Sequence, residues 1–94
     1  MLMLINHTVY DGRMDKLKSF FAGIPRSDRD HFAARCGTTA AFLRNVIYGQ
    51  RKAGEKLCVA IERESGGVVT RRDLRPDDWH LIWPELAEPM KEEA

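Results

Sequence analysis

Long apolar runs, cysteines, histidines and net charge are all scarce in this chain. Its longest apolar run, residues 1–5, falls far short of the roughly 20 residues that a membrane-spanning helix needs. No basic stretch or small-residue cleavage site accompanies that run, so it does not read as a secretory signal, and a cytoplasmic protein is expected. The two cysteines, Cys36 and Cys58, fall inside segments of helical pattern rather than in a spaced framework. They read as reduced core thiols; the competing reading, a redox sensor, asks for an exposed thiol of lowered pKa. His7, His31 and His80 are scattered, and with two cysteines they make no metal-ligand spacing, so no metal or other cofactor is expected. A Gly-rich phosphate loop is absent, and no serine, histidine and aspartate stand in a nucleophile-base arrangement, which argues against an enzyme.

What is present fits one small domain: 94 residues, 44% hydrophobic and 31% charged. A core of that size is marginal, so economical helix packing or a second subunit has to supply part of the stability. The net charge of +1 hides an asymmetry, because residues 12–75 carry 14 Lys+Arg against 7 Asp+Glu. Residues 76–94 reverse it, with Lys91 alone against 6 carboxylates. A basic body with an acidic tail points to a polyanionic partner for the body.

The chain divides into three parts. Residues 1–13 lack helical period and end in a Tyr-Asp-Gly-Arg turn signal, so they read as an extension, mobile or a short strand, with Met14 as an alternative start. From Asp15, the spacing of Leu17, Phe20, Phe21 and Ile24 predicts a first helix that ends before Pro25. Ser27 to Asp30 resembles a capping box with Asp in the Glu position, which predicts a second helix starting at Ser27 and ending at Gly37. Thr38 and Thr39 offer hydroxyls to cap a third helix running to about Tyr48, with Phe42, Leu43, Val46 and Ile47 inward. Ala40, Ala41, Arg44, Asn45 and Tyr48 then fall on or beside its exposed face. Leu57, Cys58, Ala60 and Ile61 mark a fourth helix closing at Gly66-Gly67, and Val68-Val69 reads as a brief extended segment. Thr70 to Asp73 is a second Asp-type capping box, whose short helix Pro76 limits. Residues 14–75 thus form the domain, and residues 76–94 an acidic tail with Trp79 and Trp83 as anchors, docking either on the core or on a second subunit.

Two helices joined by a tight Gly-containing turn, the second ending among cations, match the helix-turn-helix, in which the second helix enters the major groove. The simpler alternative is an αα-hairpin of a helical bundle. On the exposed face of the third helix, Arg44 can reach a guanine, Asn45 an adenine edge, and the methyls of Ala40 and Ala41 a thymine methyl, with Thr39 serving a phosphate or a base. Arg29, Arg35, Tyr48, Arg51 and Lys52 are candidates for the DNA backbone, Arg51 and Lys52 because the backbone should pass just beyond the recognition helix. Each of these residues taken alone also reads as ordinary solvated surface.

Across residues 14–83, the blocks MDKLKSFFAGIP, FAARCGTTAAFLR, GEKLCVAIERESGG and VTRRDLRPDDW resemble the YdaS-like group of Cro/repressor-type prophage regulators, which pair in some loci with YdaT as toxin–antitoxin components. The resemblance implies an all-α bundle of four to five helices of the lambda-repressor-like type. It also implies a repressor of a prophage or antitoxin-like locus that binds operator DNA at the nucleoid. Residues 1–13 have no counterpart in the resemblance. Because one recognition helix reads few base pairs, a homodimer on double-stranded operator DNA is expected, its interface either the exposed side of the fourth helix or the segment from Val68 to Leu86, with Val68, Val69, Trp79 and Trp83 as candidates. The competing function is a protein-interaction module working through the acidic, Trp-bearing tail.

Overall fold

Pro25 sets the first boundary: Ile24 is extended, at φ −81° and ψ 130°, as the residue before a proline must be. In the computed structural model, which describes residues 13–87, the helix it ends is α1 (Asp15–Gly23). A 3-10 turn (Arg26–Asp28) leads into α2 (Arg29–Arg35), followed by α3 (Ala40–Ile47), α4 (Glu55–Glu64), α5 (Arg71–Leu74), α6 (Trp79–Ile82) and α7 (Pro84–Ala87). The described residues are all-helical and include no strand. Residues 1–12 of the expected extension and 88–94 of the expected tail lie outside them.

Two local expectations fail. Ser27 does not start α2 as a cap; it lies within the 3-10 turn, which the Asp28 amide closes on the Pro25 carbonyl at 2.8 Å, and no side chain caps either segment. With the first amide turned onto a backbone oxygen, the hydroxyl has no orphan donor to serve. Val68 and Val69 form a bend and not an extended segment, because the Ser65 hydroxyl reaches over and accepts from the Val69 amide at 3.0 Å.

The turn between α2 and α3 follows from Gly37. Its φ of +83° lets the chain reverse: Thr38 N–H donates back to Ala33 O at 2.9 Å and Gly37 N–H to Ala34 O at 2.9 Å, the paired bonds of a Schellman ending. Thr39 then caps α3, its Oγ1 accepting from the Phe42 amide at 3.1 Å. The far end of α3 closes the same way at Gly49, φ +81°, where the amides of Gln50 and Gly49 donate to the carbonyls of Asn45 and Val46. The predicted capping box at Thr70 forms reciprocally: Asp73 N–H donates to Thr70 Oγ1 at 3.2 Å, and Thr70 N–H to Asp73 Oδ2 at 2.9 Å.

One core joins these elements, with Leu17, Leu43, Ile61, Val69 and Cys58 its largest fully enclosed side chains. Each large apolar side chain so enclosed contributes about 1.5–3 kcal/mol. The described part of the tail docks on this core: Trp83 is buried, under the Arg71 guanidinium, and Trp79 packs half-buried beneath Arg72, whose carbon lies 4.3 Å from the ring centre. Arg72 also donates to Leu86 O at 3.3 Å, tying α7 to α5. Two of the four expected interface residues are therefore corrected, since Val69 and Trp83 are enclosed by their own chain and cannot meet another. Val68 remains exposed.

Both thiols are free and buried, and burial pushes each pKa up to about 11. Cys58 Sγ donates to Ala53 O at 3.6 Å. Thiols so placed are protonated at neutral pH and behave as small core hydrophobes.

Candidate nucleic-acid interface

Helix α3 carries two sets of side chains. Ala40, Leu43, Val46 and Ile47 are buried, and Phe42 is partly buried against the same core. On the other side Ala41, Arg44 and Tyr48 are exposed and Asn45 is half-buried, with Thr39 exposed at the N-cap. The placement of Ala40 on the open face is a correction: it is only 7% exposed. Its spacing to Leu43 and Ile47, three and then four residues on, is the period of the inward stripe. That signal was available, but two adjacent alanines carry no difference in polarity to show which of them turns inward.

The outward group is thus Thr39, Ala41, Arg44, Asn45 and Tyr48, all within one short helix and its caps. Thr39 Oγ1 spends an electron pair on the Phe42 amide, and its O–H hydrogen stays available to a further acceptor. Lys18 of α1 lies over the Tyr48 ring, 5.5 Å from its centre, which places another cation at the end of α3.

The cations sort by location. Away from α3 most meet carboxylates: Lys16 with Asp73, Arg35 and Arg63 with Glu64, Arg71 with Glu62, Arg75 with Asp78, and Arg13 with Asp77, while among the described residues Lys56 has no such pair and Arg72 lies over Trp79 instead. Hydrogen bonds from Arg63 and Arg35 hold the Glu64 carboxyl below its ordinary range. Around α3 the picture changes. Among the described residues Arg26, Arg44, Arg51 and Lys52 have no carboxylate within 4.0 Å, although all four are exposed. Arg51 donates only to the carbonyl of its neighbour Gln50, at 3.1 Å.

Two of the expected backbone contacts also serve within the chain. Arg29 is half-buried, with Nε donating to Ile24 O at 2.9 Å and Nη2 to Ala22 O at 3.2 Å, and it stacks over Phe21. It serves the last carbonyls of α1, which the helix itself leaves unpaired. Arg35 pairs with Glu64 at 3.1 Å across the α2–α4 contact and covers Phe32. Both uses depend on partners elsewhere in the chain. Conversely, Arg26 and Ser27 were absent from the expected set, since Ser27 read as a cap and Arg26 was not singled out. They join Arg29, Asp30, Ala40 and Arg44 in lining an open recess between the 3-10 turn and the first turn of α3.

Among the described residues no cluster of three or more His, Cys, Asp or Glu is placed to hold a metal ion, and no helix is long and apolar enough to cross a membrane. The assembly is a small helical protein presenting one polar, cation-fringed helix on a closed core. No family model matches the chain. It is similar to a prophage transcriptional regulatory protein of Escherichia coli (strain K12), 31% identical over 61 residues, which make up 65% of this chain and 92% of the relative. The chain belongs to that family of prophage transcriptional regulatory proteins.

Proposed function

We propose that this protein is a prophage-type transcriptional regulator that binds double-stranded operator DNA, with α2 and α3 acting as a helix-turn-helix of the Cro/repressor kind. The observation that carries the proposal is that, among the described residues, the exposed Arg26, Arg44, Arg51 and Lys52 around α3 have no carboxylate within 4.0 Å, whereas Lys16, Arg35, Arg63, Arg71 and Arg75 each meet one. Unneutralised cations on one face are the footprint of a polyanion site. The outward side chains of α3 are short or hydrogen-bonding, as groove entry requires, and Arg44 and Asn45 can address guanine and adenine edges. Arg51 and Lys52, just beyond Gly49, are then placed for the DNA backbone. The relative is named as a transcriptional regulator, and the resemblance to YdaS-like repressors agrees with this reading.

The competing role, a protein-interaction module using the tail, loses its aromatic anchors. Trp83 lies in the core, and Arg72 covers Trp79. Salt dependence separates the two. DNA binding through cations should lose affinity steeply, log K falling roughly 0.9 per neutralised phosphate as log salt rises. A titration that stays flat would reject the proposal in favour of an apolar protein interface.

A further inference from the structure

Four features of the recess between the 3-10 turn and α3 bear on what it can hold. Three of the residues that line it, Arg26, Arg29 and Arg44, are arginines, against one acidic residue, Asp30. The Arg29 group is fixed, because two backbone carbonyls take its Nε and Nη2 and the Phe21 ring backs it. Its Nη1 makes no hydrogen bond to the described residues. Ser27 supplies a hydroxyl that, having failed to cap α2, has no partner among the described residues.

From these features we infer that the recess seats one phosphate of the DNA backbone, gripped by Arg26, Ser27 and Arg29 beside Arg44. This deepens the proposed function and rests on it. A guanidinium already immobilised loses little further freedom when an anion arrives, and its planar donor edge suits phosphate oxygens. Arg26, exposed on the 3-10 turn, closes over the opposite side of that anion. Asp30 opposes the anion and limits how strongly the seat holds any phosphate, so it restrains sequence-independent binding. Because Arg44 walls the same recess, the seated phosphate fixes where Arg44 stands along the groove. Contacts of this kind set register without reading sequence.

The test uses the full chain and a short random-sequence duplex, followed by fluorescence anisotropy over a salt series, with thermal melts confirming that each variant folds. Arg26→Ala should weaken binding about tenfold and flatten the salt slope by roughly one phosphate. Asp30→Asn should move affinity the opposite way. Arg63→Ala, whose cation pairs with Glu64 away from the recess, controls for simple loss of charge and should leave the slope unchanged. If Arg26→Ala behaves like Arg63→Ala, the seat is refuted while the DNA-binding proposal stands. If the wild-type chain itself shows no salt-dependent affinity for the duplex, both fail. A parallel arm titrates inorganic phosphate against chloride at equal ionic strength while the Arg29 Nε–H resonance is followed. Equal, weak responses agree with a seat for DNA phosphate. Saturation by phosphate alone would make a free anion the ligand and overturn the assignment.

Discussion

Arg75 grips both carboxylate oxygens of Asp78 with one edge of its guanidinium, Nη2 2.7 Å from Oδ2 and Nε 3.1 Å from Oδ1. Its remaining nitrogen donates to Ala53 O at 2.8 Å, so one side chain ties the α5–α6 turn to the loop that precedes α4. Ala53 is buried, and its carbonyl also accepts from Cys58.

Removing that guanidinium should therefore cost stability. Arg75→Met deletes three hydrogen bonds, two of them to a charged acceptor, and is expected to destabilise the fold by about 1–3 kcal/mol in urea unfolding. The partner gives a pH signature. The Arg75 hydrogen bond, with smaller help from the charges of Arg75 and Lys52, holds the Asp78 carboxyl below its ordinary value. A lowered folded pKa stabilises above the unfolded value, about 4, and that stability is lost as pH falls through the folded value. The stability gap between wild type and Asp78→Asn should thus be constant from neutral pH down to about 5 and close below about 4. A gap that widens on acidification would contradict the assignment.

Arg44 and Arg51 should fail in different ways. Once a preferred duplex has been selected from a randomised pool, Arg44→Ala is expected to relax discrimination at one base position by about 1–3 kcal/mol. Arg51→Ala should weaken selected and random duplexes by the same factor. Equal loss of ratio in both variants would remove base reading from Arg44.

The dimer expected on DNA needs an interface other than Val69 and Trp83. Among the described residues the large apolar side chains left open away from α3 are Val59 on α4, Val68 and, on α6, Leu81, the most exposed of them at 73%. Leu81→Glu should convert dimer to monomer in light scattering while changing monomer stability by less than about 0.5 kcal/mol, as is usual at open positions. The wild-type footprint should then show two half-sites about one helical turn, roughly 34 Å, apart. A dimer indifferent to Leu81→Glu would refute the placement, and one protomer per operator would refute the dimer. Trp83→Ala is no control here, because emptying a buried tryptophan site should cost about 3–5 kcal/mol, a large share of a small domain's total.

Gly37→Ala isolates backbone conformation from packing. A Cβ at this position meets nothing within 4 Å, yet the residue sits at φ +83°. The expected loss is about 1–2 kcal/mol, the cost of left-handed geometry to an L side chain, read as a lowered midpoint in thermal unfolding. A neutral result would mean the turn readily adopts another shape.

How far the chain could be read from its residues depended on the range of the interaction. Helix ends written in adjacent residues were legible: Gly37 and Thr39 on either side of the turn, Gly49, Gly66, and the Thr70–Asp73 box. So was the inward stripe of Leu43, Val46 and Ile47, whose period is local. Ser27 misled because a capping pattern identifies a residue that can cap, whereas Pro25 had already wound the chain into a 3-10 turn. Arg35 meets Glu64, 29 positions away, and Trp83 joins a core whose other buried members lie between Leu17 and Leu74. No window of neighbouring residues encodes those meetings.

Glycine turns close both ends of α3, and its inward and outward residues do not overlap. Its eight positions therefore behave as an interchangeable cartridge. Ala40, Leu43, Val46 and Ile47 fix the seating, and the exposed Ala41 and Arg44 can be rewritten without touching it. If α3 reads DNA as proposed, a lineage of such chains could acquire new addresses on a chromosome by editing those letters, leaving the scaffold and its folding untouched.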